Sequence, residues 1–234
     1  MIIKRDTKAA IMQPTFLSWS GYYNLINHVD VFIFLDDAKF VKNSWHNNNQ
    51  ILLNSKLHKI NIPILNNQST QNINQTCIYN KNLIWKKKLI ATFIHAYSKS
   101  NYYLDIRFII EIIENSQDTY LSTLNEKIII EISNYLDIKT KFLNSSSLNI
   151  EGSRSQRIVN ILNHFGIRYY ISPIGAKKYL DDDEFDKISD INLSYQNFIP
   201  KEYNQYRSKT FVPYLSIIDV IANIGISNTK KYIL

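Results

Sequence analysis

The chain has one cysteine, five glycines and five prolines in 234 residues, and each scarcity excludes something. A lone Cys77 rules out an intramolecular disulfide and a cysteine-clustered zinc site, and it fits a reducing compartment as a small, half-buried apolar residue. The few glycines form neither a Gly-x-x-x-x-Gly-Lys phosphate loop nor a Gly-x-Gly-x-x-Gly fingerprint, which argues against kinase and dehydrogenase chemistry. Ser172 lacks the flanking glycines of a hydrolase elbow. Five histidines, at 28, 46, 58, 95 and 164, show no metal-ligand spacing, so no resident metal is expected. No apolar run reaches the roughly 18 residues needed to span a bilayer. The first residues carry neither an apolar core nor a cleavage site. The expectation is a soluble, cytoplasmic protein.

What is abundant points to a packed core with an anion-seeking surface. Hydrophobic residues make up 45% of the chain and aromatics 13%, enough for a full interior. A net charge of +7 favours a nucleotide, a phosphate or an acidic protein as partner. The lysines and arginines are scattered, apart from Lys86-Lys87-Lys88 and Lys230-Lys231, and no aromatic-basic RNA motif occurs, so nucleic acid is not the expected partner. Asparagine and isoleucine are so frequent that they reflect an AT-rich coding genome, and isolated asparagines carry little weight.

The first 35 residues read as strand 9–12, helix 21–27 and strand 31–35, with continuous apolar runs typical of strands buried on both faces. Residues 58–64 alternate as a third strand, which Pro63 places at an edge. Residues 66–75 form a polar loop and a candidate lid. Helices follow over 82–97, 107–115 and 119–136, the first burying Trp85, Leu89, Phe93 and Tyr97 and leaving Lys86-Lys87-Lys88 in solvent. Ser153 to Gln156 form a capping box for a helix that Gly166 ends, and strand 167–172 breaks at Pro173-Ile174-Gly175. A strand over 191–195 and a last helix complete the pattern, with Asp219 as a first-turn cap and Gly225 as the stop. The expected fold is α/β: a Rossmann-like, mostly parallel sheet with flanking helices and a helical insertion at about 80–140, all one domain over 1–234.

The candidate chemistry gathers after the second strand. Asp36 and Asp37 end it, where open α/β sheets bind ligands. A carboxylate there can hold Mg²⁺, accept from a sugar hydroxyl or act as general base, with His46 as a further acid/base. Lys42, Asn47 and Asn49 offer donors to phosphate or hydroxyl oxygens, and Trp45 offers a stacking surface. Ser172 and Gly175 shape a loop that approaches the ligand, and Lys177 and Tyr179 extend that opposite wall.

Ile11-Met12-Gln13-Pro14, Gly21-Tyr22, Asp36-Asp37, Phe40, Lys42, Trp45, Asn47, Asn49, and later Tyr203, Gln205 and 211–219 resemble the WbqC-like proteins over nearly the whole chain. Asn48 stands where that family has arginine, and Ser172-Pro173-Ile174-Gly175 replaces a Ser-Gly loop. The resemblance implies a bacterial role in O-antigen, capsule or other surface-glycan synthesis and adds Gln13 to the substrate-binding candidates. The reading that follows is an N-acyl or aminoacyl transferase acting on a nucleotide-linked amino sugar, with acyl-CoA or an acidic acyl-carrier protein as donor. Two alternatives stay open: a Mg²⁺-dependent nucleotidyl or adenylate-forming transferase, and a non-catalytic binding protein of the pathway. Residues 19–26 also have the spacing of the His-x-Gly-His signature of nucleotidylyltransferases, with Trp19 and Tyr22 in the histidine positions. Neither side chain supplies a cationic donor to a pentavalent phosphate.

Overall fold

The computed structural model describes residues 6–65, 71–80 and 84–234. Five strands, β1 (Lys8–Met12), β2 (Val31–Phe34), β5 (Lys141–Asn144), β6 (Tyr169–Ser172) and β7 (Asn192–Tyr195), form a parallel sheet in the order β5-β2-β1-β6-β7. β1 and β2 pair in register from Ala9 with Val31 to Met12 with Phe34. Alternation then divides their side chains between two cores. Ala9, Ile11, Val31 and Ile33 pack against α5 (Arg154–His164), α6 (Lys177–Asp182) and α7 (Phe185–Ile188). Ala10, Phe32 and Phe34 pack into the larger core with α1 (Ser20–Asn27), α2 (Ile84–Tyr97), α3 (Arg107–Asn115), α4 (Leu121–Tyr135) and α8 (Ile217–Tyr232). Helices on both faces explain why these strands carry continuous apolar runs. The chain adds strands outward from β1 to β5, then crosses back to start β6 on the other side of β1. That reversal opens a crevice beyond the carboxyl ends of β1 and β6, the ligand site of doubly wound sheets.

Several local expectations change. Residues 58–64 do not join the main sheet: Lys56–Asn61 is β4, paired antiparallel with β3 (Asn48–Leu53) in a separate hairpin. Its two-residue turn, Asn54-Ser55, has positive φ at both positions, the geometry that matches strand twist. The parallel strand that was missed is β5, whose Lys-Phe-Leu-Asn sequence is too short and mixed to show a period. Helices α2 to α4 fall within the expected insertion, which the hairpin extends toward the amino end. Of the candidate lid, 66–70 lies outside the described residues, while Ile73–Gln75 makes a 3₁₀ turn docked on the end of β2 through Ile73 N–H to Ala38 O and Asn74 N–H to Asp36 O.

Lys86 is buried rather than solvated, its ammonium donating to Glu114 O and Ser116 O at the end of α3. Burial lowers its pKa. The cap of α5 comes from Asp183, which accepts the Ser155 N–H and hydroxyl, and not from the Ser153 side chain. Ser216 caps α8, and Asp219 instead accepts from the Tyr97 and Tyr203 hydroxyls and Gln205 Nε2 inside the core. Gly225 kinks α8 rather than ending it. Its φ of 81° and the Tyr102 ring 2.6 Å from the place of a Cβ together require glycine.

Candidate functional site

The loop leaving β1 is held from every side. Asn49 Nδ2 donates to the carbonyls of Phe16 and Leu17, Ser216 Oγ donates to Leu17 O, and Asn125 Nδ2 donates to Pro14 O and His46 O. Phe16 N–H reaches Trp45 O, tying the loop to the start of the hairpin. These clamps keep Leu17 at a positive φ of 45°, a conformation that a β-carbon makes costly. They also fix where Thr15, Ser18 and Trp19 project. The asparagines thus bind backbone: Asn47 Nδ2 likewise donates to Ile62 O, and its Oδ1 accepts from Asn48.

A pocket of about 350 Å³ opens beside this loop, lined by Met12, Trp19, Tyr22, Trp45, Asn49 and Tyr214, with no charged side chain. Trp45 and Tyr214 form an exposed rim. The Trp19 indole tilts against Tyr214 at 5.2 Å and Phe198 at 5.7 Å. It folds back over the first turn of α1, where a β-carbon on residue 21 would lie 2.1 Å from the ring, so Gly21 is what admits it. Under the pocket, Tyr22 donates its hydroxyl to Gln13 O. The Gln13 side chain is oriented by His46. Because Val41 N–H donates to His46 Nδ1, the imidazole carries its proton on Nε2, which donates to Gln13 Oε1 at 2.9 Å. Burial lowers the His46 pKa to about 4, so the ring is neutral at pH 7 and orients rather than titrates. Gln13 Nε2 is left with no protein partner among the described residues.

At the ends of β2 and β5 the polar groups are saturated. Asp36 accepts the Ser146 N–H at 3.0 Å and the Ser146 hydroxyl, with the Ser145 hydroxyl alongside. Asp37 accepts Ser145 Oγ at 2.6 Å and pairs with Arg157 from α5. Both carboxylates therefore fasten the turn after β5.

Close to this cluster is a group absent from the sequence candidates, Glu126 of α4. Its Oε2 accepts from Asn144 Nδ2 at 2.8 Å, while Oε1 is buried with no partner among the described residues. Burial pushes its pKa up to about 7, the Asn144 hydrogen bond opposes that, and the charge of Asp36 adds to it. Such a carboxyl exchanges its proton near neutral pH. Tyr22 links the two areas, since its ring lines the pocket and its hydroxyl lies within the field of Glu126. Nothing local marks Glu126 in the sequence. Only the packing of α4 under the ends of β2 and β5 places it there.

Gln13, Trp45, His46 and Asn49 thus gather at the end of β1, and Asp36 and Asp37 at the end of β2. Lys42 sits on an exposed turn near Trp45 without a protein partner among the described residues. The others stand apart. Ser172 is buried at the end of β6, and Gly175 is exposed with room for a side chain. Lys177 pairs with Asp181, and Tyr179 packs on the core of α5 to α7. Among the described residues, no group of three or more His, Cys, Asp or Glu side chains is placed to hold a metal ion. No helix there is long and apolar enough to cross a membrane.

These features define a doubly wound α/β protein whose open pocket lies at the carboxyl end of its first strand. The chain belongs to the WbqC-like protein family, which it matches over residues 13–231. It is 30% identical over 222 residues to the uncharacterized protein Rv1507c of Mycobacterium tuberculosis (strain ATCC 25618 / H37Rv), an alignment covering 93% of this chain and 94% of that one. No solved structure matches it. Membership of the family fits a role related to surface glycans.

Proposed function

We propose that the protein is a transferase of surface-glycan assembly that places an acyl or aminoacyl group on the amine of a nucleotide-linked amino sugar. What supports this reading is the uncharged aromatic pocket together with Glu126, whose buried Oε1 has no partner among the described residues, whose pKa burial pushes up to about 7, and whose charge reaches Tyr22 of the pocket lining. The sugar ring stacks between Trp19 and Trp45, apolar face to indole. Its amine gives a proton to Glu126 as its nitrogen attacks the carbonyl of a thioester donor. The C–N bond forms, the C–S bond breaks, and the proton passes to the departing thiolate. Gln13 Nε2, held ready by His46, donates to the carbonyl oxygen as negative charge builds on it. Asp36 and Asp37 keep the turn after β5 in place.

The test is direct. Purified protein is incubated with nucleotide-linked amino sugars and acyl-CoA or acyl-carrier donors, and acylated product is read by mass spectrometry. Glu126→Gln lowers kcat/KM by about 10²-fold or more. Turnover unchanged in Glu126→Gln removes the base assignment. Release of pyrophosphate without acylation replaces the reaction by nucleotidyl transfer.

A further inference from the structure

A second hollow, about 530 Å³, lies between α1, the carboxyl end of β7 and residues 196–201. Its lining includes His28, Tyr195, Gln196, Phe198, Lys201 and Tyr232, and no aspartate or glutamate. Lys201 Nζ has no protein partner among the described residues, while its backbone is fixed by the Tyr232 hydroxyl donating to Lys201 O at 2.9 Å. An unpaired cation on an anchored backbone is available to an anion. His28 also lines the hollow, its Nδ1 donating to Asn24 O at 2.7 Å. Asp181, whose carboxylate accepts from the Tyr195 hydroxyl, is already paired with Lys177.

The rest of the lining is suited to a base. Phe198 and Tyr232 meet edge to face at 6.0 Å, giving flat apolar walls. Gln196 is oriented by two hydrogen bonds of 2.6 Å from its Nε2, to Gly21 O and Asn24 Oδ1, and its Oε1 is an acceptor without a protein partner among the described residues. The hollow also adjoins the aromatic pocket. Phe198 lines one, Trp19 lines the other, and these two rings pack at 5.7 Å as their common wall. We infer that this hollow binds a nucleoside diphosphate, base against Phe198 and Tyr232 and phosphates toward Lys201, so that a sugar on the second phosphate reaches past Trp19 into the aromatic pocket. The inference deepens the transferase reading and rests on it for the direction in which the sugar points. Nucleotide binding itself needs no turnover.

Calorimetric titration with UDP, dTDP, ADP, CoA and inorganic phosphate, backed by Trp19 fluorescence, tests the inference. A nucleoside diphosphate binds, and free phosphate binds more weakly. Lys201→Glu, an exposed change, weakens the nucleotide about tenfold or more, the loss expected for one charge-assisted contact and a new repulsion. Lys187→Glu, the same charge change on α7, leaves affinity unaltered, and so does Trp45→Ala. Equal loss in the two lysine variants overturns the assignment, as does loss of nucleotide binding in Trp45→Ala, which would move the base to the other pocket. Binding of CoA alone, or of no nucleotide, overturns it as well. Lys201-dependent nucleotide binding without acylation of any sugar supports the hollow and removes the transferase reading instead.

Discussion

At one edge of a single sheet, the groups after β2 and those after β1 are used in opposite ways. Asp36 and Asp37, the most conspicuous charges in the sequence, have their oxygens taken by Ser145, Ser146 and Arg157. The aromatic residues after β1 enclose open space, and Gln13 Nε2 and Glu126 Oε1 have no protein partner among the described residues. The first pair is held in place by its partners, while the second region keeps polar groups open toward a ligand. Which region a residue serves is decided by its partners and not by its type.

Four changes probe that contrast. Asn49→Ala strips donors from two buried carbonyls and should cost about 3 kcal/mol, seen as a lower urea midpoint. The aromatic pocket should loosen, read by tryptophan fluorescence, while the Asp36 network stays intact. Next in size is His46. Its folded pKa lies below the ordinary 6.5, so the unfolded chain binds the proton first and stability falls by a few kcal/mol as pH drops from about 6.5 toward 4. A His46→Gln variant should flatten that part of the pH profile. Arg157→Ala should remove about 1 kcal/mol from a half-buried ion pair and disturb the turn after β5 without changing the pocket. Glu126→Gln probes a pH effect of the opposite sign to that of His46. The Glu126 pKa is raised on folding, so the folded state holds the proton longer and its contribution to stability declines as pH rises from about 4.5 to 7. The glutamine variant should lack that decline and equal or exceed the parent in stability at pH 8, by thermal melts across the range.

The sequence showed where the sheet begins, because β1 and β2 are apolar along their whole length and so must be covered on both faces. It did not show β5 or the β3–β4 hairpin. Both are half polar, and their strand character comes from pairing rather than from pattern. The position of Asp36 at a strand end was legible, while its partners, more than a hundred residues away, were not. Asn49 and Asn125 were hidden by composition, since in an asparagine-rich chain a backbone clamp looks like any other asparagine. Tyr214, Gln196 and Glu126 arrive from distant segments, and no local spacing announces them.

Gly21 has one more consequence. The indole of Trp19 fills the volume that any other residue at position 21 would claim, so this place is closed to substitution as long as the indole stays. A side chain at position 21 therefore needs a change at position 19 first or alongside it. The exposed rim carries no such restriction. Diversification of ligand preference among relatives should therefore run through positions 45 and 214, and libraries built to redirect the protein should begin there.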